Sequence, residues 1–244
     1  MGDAGETGFA MSGKSAISMA TAAALCGCAT VRVGSLGFKS GDKIAFLGDS
    51  ITEWGATNRD GSVNPKGYVN LVLAAIRAKG ANVEGIYAGV AGNMSVQMLK
   101  RFDSDILSKS PDWLFLSCGV NDAPNGYEDE RRNPGIPLED FRKNITELLD
   151  RARAHGIRVI VMTATPVVEE PEHQANANLV PYNAFLREIA AARSLPLVDH
   201  NAAFNKYIDG KRDKSVRELT VDGTHMSEIG NKLMAATILA ALGL

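Results

Sequence analysis

From residue 43 to the end of the chain, short apolar runs alternate with longer stretches in which apolar residues recur at helical spacing. Runs of four or five mostly apolar residues are typical of buried strands, and they occupy residues 43–47, 83–87, 113–117, 158–162 and 195–198. Helical periodicity predicts helices over residues 67–79, 95–107, 138–155, 178–193 and 227–242. Strands that alternate with helices in this way predict an α/β fold with a parallel sheet covered by helices on both faces.

The composition is typical of one globular domain with a sizeable core, because 45% of the 244 residues are hydrophobic and 22% are charged. The formal net charge of −2 lacks the basic excess of a nucleic-acid-binding protein, so we expect no nucleic-acid partner. No apolar run reaches the ~20 residues of a membrane-spanning helix. Since neither a repeat nor a linker interrupts the pattern, we predict one domain over residues 40–244, after a leader over residues 1–39.

The leader has the features of a bacterial export signal, counted from Met11 as an alternative start. Lys14 supplies a charged beginning, and residues 16–25 form a short apolar region. The sequence Leu-Cys-Gly-Cys that ends at Cys28 resembles a lipobox, in which Cys28 would carry the lipid. We therefore predict an exported protein, periplasmic or anchored to the membrane as a lipoprotein. The alternative is an Ala-rich leader without a targeting role.

Residues 8–15 match the phosphate-binding pattern GxxxxGK[ST]. That loop binds phosphate only between a buried strand and a helix, where backbone N–H groups converge. Only seven polar and Gly-containing residues precede the pattern, and they do not form such a strand. We interpret the match as chance.

Three loops that follow predicted strands carry residues suited to catalysis. Ser50 follows the first strand, Gly92 the second and Asn121 the third. Because open parallel sheets place their sites at the carboxyl ends of the strands, these residues should converge there. Near the end of the chain, Asp222 and His225 lie three positions apart and are predicted to face the same cleft.

These residue types suit nucleophilic catalysis. A serine hydroxyl becomes an effective nucleophile when an imidazole takes its proton, and a carboxylate on the other ring nitrogen fixes the tautomer. Taken singly, each residue also has a structural interpretation: Ser50 or Asp222 as a helix cap, and Asn121 as a turn residue. The combination of Ser50, Asn121, Asp222 and His225 favours catalysis. We expect no metal or cofactor, because the chain has no ligand cluster of adequate spacing and this type of chemistry requires none.

Four sequence blocks in this order resemble the GDSL/SGNH hydrolase family: Gly-Asp-Ser-Ile-Thr at residues 48–52, Gly-Val-Ala-Gly-Asn at 89–93, Gly-Val-Asn-Asp at 119–122 and Asp-Gly-Thr-His at 222–225. The resemblance implies a flavodoxin-like, three-layer α/β/α sandwich and a serine esterase. It implies Ser50 as nucleophile, His225 as base and Asp222 as its partner. It also implies an oxyanion hole formed by the backbone N–H groups of Ser50 and Gly92 and the side-chain amide of Asn121.

The remaining histidines and cysteines have structural interpretations. We expect His155 to end a helix and His200 to be structural. His173 lies next to Glu169, Glu170 and Glu172 in a run that resembles a metal site, but we interpret it as a solvated acidic loop because the chain has no HExxH pattern. Cys118 ends an apolar run and is expected to be a buried, inert thiol.

The predicted substrate is a short acyl ester, acetyl above all, on a small molecule or polysaccharide. The loops over residues 123–137 and 165–178 are polar and offer no apolar groove for a long acyl chain. Trp54 and Tyr127 could stack on a sugar, and Asp49 is a further candidate for substrate binding. The alternatives are a lipid esterase of the lysophospholipase or thioesterase type and a non-catalytic carbohydrate-binding envelope protein. The oligomeric state does not follow from the sequence.

Overall fold

A computed structural model describes residues 37–126 and 133–244 of the chain. Within these residues, five parallel strands form one sheet in the order β2-β1-β3-β4-β5. The strands are β1 (Lys43–Gly48), β2 (Glu84–Gly89), β3 (Trp113–Ser117), β4 (Arg158–Met162) and β5 (Leu197–Val198). Helices cover both faces, so the predicted α/β/α sandwich with a flavodoxin-like parallel sheet is confirmed.

The helices connect the strands in chain order. They are α1 (Ser50–Ala56), α2 (Tyr68–Ala78), α3 (Ser95–Lys100), α4 (Phe102–Asp105), α5 (Leu138–Ala154), α6 (Gln174–Ala192), α7 (His200–Gly210) and α8 (Glu228–Leu242). The helix predicted over residues 95–107 is divided into α3, α4 and a 3-10 turn at Leu107–Lys109. Helices α1 and α7 were not predicted. In the described part of the chain, no helix combines the length and apolar character needed to span a bilayer.

The core lies on both sides of the inner strands of the sheet. Every residue of β3 and nearly every residue of β1 is buried, as expected for parallel strands covered on both faces. Phe46 of β1 stacks on Phe115, its register partner in β3, with ring centroids 4.7 Å apart. The edge strand β2 buries only Ile86 and Ala88, which explains its weak hydrophobic pattern in the sequence.

The strand order determines where a site can form. From β1 the chain crosses to β2 on one side and then returns to β3 on the other, so the connections after β1 and β3 diverge. A crevice therefore opens at the carboxyl ends of these strands, which is where ligands bind in open α/β sheets.

Candidate active site

Ser50 is presented by a tight turn between β1 and α1. The strand ends at Gly48, the helix begins at Ser50, and Asp49 between them caps the helix by accepting a hydrogen bond from the N–H of Ile51 at 2.9 Å. A Cβ at Gly48 would overlap the hydroxyl of Thr52, so the turn requires glycine there. Ser50 consequently stands at the helix N-terminus, at the edge of the sheet where the crevice opens.

Ser50, His225 and Asp222 form one hydrogen-bonded chain. Nε2 of His225 lies 2.9 Å from Oγ of Ser50. Nδ1 of the same ring lies 2.7 Å from Oδ2 of Asp222. With the proton on Nδ1, facing the Asp222 carboxylate, the lone pair of Nε2 faces Ser50, and this is the tautomer that can accept the serine proton.

The Asp222 carboxylate also fixes the backbone of its own turn. Its Oδ1 accepts hydrogen bonds from the N–H groups of His225 at 2.8 Å and Thr224 at 3.0 Å. Partial burial works to raise the pKa of Asp222, but the hydrogen bonds from the backbone and ring of His225 outweigh it and hold the pKa below its ordinary value. The carboxylate is therefore charged at neutral pH and can stabilise a protonated imidazole.

Gly92 and Asn121 lie in the two loops that flank this chain of hydrogen bonds. Gly92 adopts a left-handed conformation with φ of 73°, and a Cβ there would point into open space. The amide of Asn121 donates one hydrogen bond to the carbonyl of Asn93 at 3.1 Å. Among the described residues no acceptor is seen for its second N–H, which can donate to another group. Glu53 of α1 accepts from the N–H of Ala91 at 2.7 Å and so joins the Gly92 loop to the helix that carries Ser50.

Asp122 ties the same two loops together, a role that the sequence analysis did not assign. Its buried carboxylate accepts hydrogen bonds from the N–H of Ser95 at 2.7 Å and the N–H of Gly119 at 3.1 Å. Burial raises the pKa of Asp122 despite these bonds. The carboxylate thus fixes the loop of Gly92 relative to the loop of Asn121.

Asp49 does not occupy the position expected of a substrate-binding residue. It is 2% exposed, and its carboxylate points to the N-terminus of α1. Burial, with a further contribution from the charge of Asp122, raises its pKa to about 7. We therefore reinterpret Asp49 as the residue that positions the turn of Ser50.

The structure places Trp54 beside His225, with ring centroids 3.7 Å apart in a stacked arrangement. The guanidinium of Arg59 lies 4.5 Å from the centre of the indole. Trp54 is thus at the site, but it supports the imidazole as well as bordering the crevice. The other predicted stacking residue, Tyr127, lies outside the described residues, as do Cys28 and the pattern at residues 8–15.

The interpretation of residues 169–173 as a solvated acidic loop is wrong for Glu169, which is buried. Glu170 and Glu172 are exposed, but the Glu169 side chain is 6% exposed and pairs with Lys211 at 3.0 Å. Its Oε1 also accepts hydrogen bonds from the N–H groups of Leu219 at 2.8 Å and Thr220 at 2.9 Å. The carboxylate therefore anchors the segment that leads directly into Asp222 and His225.

The remaining histidines do not reach the site. His155 follows α5, and His173 caps α6 by accepting from the N–H of Ala175 at 3.2 Å. His200 is fully buried, and its ring nitrogens have no hydrogen-bond partner among the described residues. Cys118 is a buried free thiol, as predicted. In residues 37–126 and 133–244, no group of three or more histidine, cysteine or acidic side chains is arranged to hold a metal ion.

Comparison with known proteins points to one family. The family model "GDSL-like Lipase/Acylhydrolase family" matches residues 46–233. The uncharacterized lipoprotein YqeF of Bacillus subtilis is 28% identical over 220 residues, which cover 79% of this chain and 86% of that protein. An acetylxylan esterase of Geobacillus stearothermophilus is 24% identical over 211 residues, covering 84% of this chain and 95% of the esterase.

Solved structures share the fold. An acetyl xylan esterase, AlAXEase, matches with a TM-score of 0.72 and 27% identity, covering 82% of this chain and 99% of that one. Axe2, an acetylxylan esterase from Geobacillus stearothermophilus, matches with a TM-score of 0.73 and 22% identity, covering 85% and 96%. The Axe2 structures include catalytic mutants in which a serine, an aspartate or a histidine was replaced by alanine.

Proposed function

Because the chain belongs to the GDSL-like lipase/acylhydrolase family and is a carboxylic ester hydrolase, we propose that it removes acetyl groups from carbohydrate. The proposed mechanism uses a Ser-His-Asp triad and an acyl-enzyme intermediate. The observation that carries the proposal is the unbroken chain of hydrogen bonds from Ser50 through His225 to Asp222, at 2.9 and 2.7 Å. The catalytic mutants of Axe2 replace the same three residue types, which supports this assignment.

In the first half of the reaction, Oγ of Ser50 attacks the ester carbonyl while Nε2 of His225 takes its proton. The carbonyl oxygen gains a negative charge in the tetrahedral intermediate. The N–H of Ser50, the N–H of Gly92 and the free amide N–H of Asn121 stabilise that charge. The ester C–O bond then breaks, and the departing sugar alkoxide receives the proton from His225.

In the second half, water attacks the acetyl group on Ser50, and His225 takes a proton from the water. The second tetrahedral intermediate collapses, acetate leaves, and the proton returns from His225 to Oγ of Ser50. Asp222 stays charged throughout and stabilises the imidazolium in both halves. Each step uses groups of this chain and the two substrates, ester and water.

A small acyl group is supported by the composition of the loops near the site. The segments over residues 123–137 and 165–178 are rich in charged and amide side chains and offer no apolar groove. A long acyl chain would therefore forgo about 0.8 kcal/mol for each CH₂ that such a groove would bury.

A carbohydrate as the alcohol part of the ester is supported by the relatives, two of which are acetylxylan esterases by name. Export is supported by the leader and by the relative YqeF, which is named a lipoprotein. We propose that Cys28 carries the lipid and that the enzyme meets polysaccharide outside the cytoplasm.

A series of p-nitrophenyl esters from acetyl to octanoyl tests the acyl preference, followed by acetate release from acetylated xylan. We expect kcat/KM to fall as the chain lengthens. The matched control is Ser50→Ala, for which kcat should fall by about 10⁶ because the nucleophile is lost.

Two outcomes would contradict the proposal in different ways. A kcat/KM that rises towards octanoyl would indicate a lipid esterase with the same mechanism. Unchanged turnover in the Ser50→Ala variant would remove the serine mechanism itself.

A further inference from the structure

The edge of the sheet opposite the site carries a face rich in basic residues. It is built from the first residues of the strands and the last residues of the helices that precede them, which meet at the same edge in a parallel sheet. Four of its cations are exposed and have no ion pair in the part of the chain that the structure describes: Lys39, Lys79, Lys109 and Arg153. We call this the basic face.

Contacts between neighbouring segments show that these residues share one surface. The N–H of Gly41 donates to the carbonyl of Asn82, which joins the segment of Lys39 to the turn after Lys79. Nζ of Lys43 donates to the carbonyl of Lys109 at 3.3 Å. Arg153 lies in the last turn of α5, close to the start of β4.

Three acidic side chains at this edge are engaged with the protein itself, whereas Glu84, the first residue of β2, is exposed. Asp42 is buried and accepts from the indole N–H of Trp113 at 2.8 Å. Asp112 accepts from the N–H of Lys43 at 2.8 Å. Asp150 pairs with Arg193 at 2.7 Å. The exposed lysines and Arg153 therefore give the basic face a positive field, although the whole chain has a net charge of −2.

A groove of about 600 Å³ opens on the same face. Its apolar lining includes Leu149, Ile157 and Leu195, and the exposed guanidinium group of Arg153 borders it. The guanidinium group of Arg158 also borders the groove and lies 3.5 Å from the carboxylate of Asp42. Phosphate groups suit guanidinium donors, and an apolar floor suits the glycerol and upper acyl part of a lipid.

The basic face is also where the leader joins the domain. Phe38, next to the first described residue, packs on Trp113 at this edge with ring centroids 4.8 Å apart. Cys28 precedes residue 37 by nine positions, a span of at most about 30 Å. Ser50 lies beyond the other end of β1, about 20 Å away.

We propose that the basic face docks on the anionic headgroups of a membrane and holds the active site towards the surroundings. Docking is a property of the folded domain and does not depend on hydrolysis or on a lipid at Cys28. A tether and a basic surface together provide the two signals that stable attachment to a membrane requires. With the site on the far edge, polymeric substrate can reach Ser50 while the enzyme stays on its membrane.

The test uses the full chain with Cys28→Ala, so that no covalently attached lipid contributes to binding. Its sedimentation is measured with phosphatidylcholine vesicles that either contain or lack phosphatidylglycerol. We expect binding to the anionic vesicles alone, weakening as salt is added. The face variant carries Lys79→Glu, Lys109→Glu and Arg153→Glu. Its partition coefficient should fall at least about 100-fold, since each basic side chain near the surface contributes about a factor of five.

A matched variant makes the same change of charge elsewhere, with Lys143→Glu, Lys206→Glu and Lys214→Glu, all exposed and outside the basic face. It should bind the anionic vesicles far better than the face variant does. Hydrolysis of p-nitrophenyl acetate by both variants reports whether they are folded, separately from binding. Equal binding by the two variants, no binding by the parent, or self-association through this face without lipid would each overturn the proposal.

Discussion

Replacement of Glu169 by glutamine tests whether a buried carboxylate far from the ester positions the Asp222–His225 segment. In the structure, Oε1 of Glu169 accepts from the N–H groups of Leu219 and Thr220, and Oε2 accepts from Nζ of Lys211 at 3.0 Å. Glutamine keeps one oxygen for the backbone donors but turns an NH₂ group towards the Lys211 ammonium. Both side chains of the ion pair are at most 6% exposed, so the lysine charge would remain buried without its partner.

The loss of one partner from a buried ion pair costs about 3–5 kcal/mol. We expect Glu169→Gln to lower the free energy of unfolding by about that amount at pH 7. At urea concentrations where the variant is still folded, kcat/KM should also fall, by up to about 10²-fold, because a displacement of about 1 Å at His225 misaligns the base. A lower kcat/KM in the folded variant would show that Glu169 positions His225 and does more than stabilise the fold.

The measurements are urea unfolding and turnover of p-nitrophenyl acetate, with Glu170→Gln as the matched control at an exposed neighbour. Burial works to raise the pKa of Glu169, but its hydrogen bonds to backbone N–H groups and Lys211 hold the pKa below its ordinary value of 4.5. The stability that the carboxylate contributes is therefore present above pH 4.5 and is lost as the pH falls through its folded value. If Glu169→Gln matches the parent in unfolding midpoint and in kcat/KM, Glu169 does not position this segment.

Three further changes test other parts of the structure. Asn121→Ala should keep Ser50 reactive towards a fluorophosphonate but lower kcat by about 10²–10³, and an unchanged kcat would leave Asn121 as a turn residue. Burial lowers the pKa of His200 to about 3, so the folded parent should lose about 2 kcal/mol of stability between pH 8 and pH 5 as the unfolded histidine binds a proton. His200→Leu should lack that loss, and equal pH dependence in urea unfolding would argue against a neutral buried ring. Asp49→Asn keeps the cap oxygen without the charge, and should be more stable than the parent above pH 7 in the same assay, because burial raises the pKa of Asp49 to about 7.

The features that depend on local pattern were predictable from the sequence. Strands β1, β3 and β4 are runs of buried residues, and the predicted bounds agree with the structure within one residue. Ser50, Gly92 and Asn121 follow successive strands, and the sheet order brings their loops to one edge. The turn over residues 222–225 follows from a short motif whose side chains bond to their own backbone.

The features that depend on contacts distant in sequence were not predictable in this way. Helix α1 is only seven residues long, and its start is fixed by the Asp49 cap rather than by periodicity. Glu169 lies 42 positions from Lys211, and no motif links them. A usable signal was nonetheless present, because Glu169 follows β4 at the same edge of the sheet as the site. Whether a carboxylate at that edge anchors the backbone or is merely solvated depends on its burial. The acidic sequence around Glu169 does not show that burial.

The site is assembled by carboxylates that never meet the ester. Asp49 caps the helix of Ser50, Asp122 joins the loops of Gly92 and Asn121, and Glu169 holds the segment before Asp222. Backbone N–H groups supply most of their donors, so each carboxylate fixes a loop and not merely a side chain. Only Glu169 has a buried cation beside it, and only its pKa is lowered; burial raises the pKa of the other two. Burial favours the protonated forms of Asp49 and Asp122, and for Asp49 the stability contributed by that form is lost as the pH rises from about 3.8 to about 7. The stability that the Glu169 carboxylate contributes is instead present above pH 4.5 and is lost as the pH falls through its folded pKa. The carboxylates that hold the site together therefore respond to pH in opposite directions.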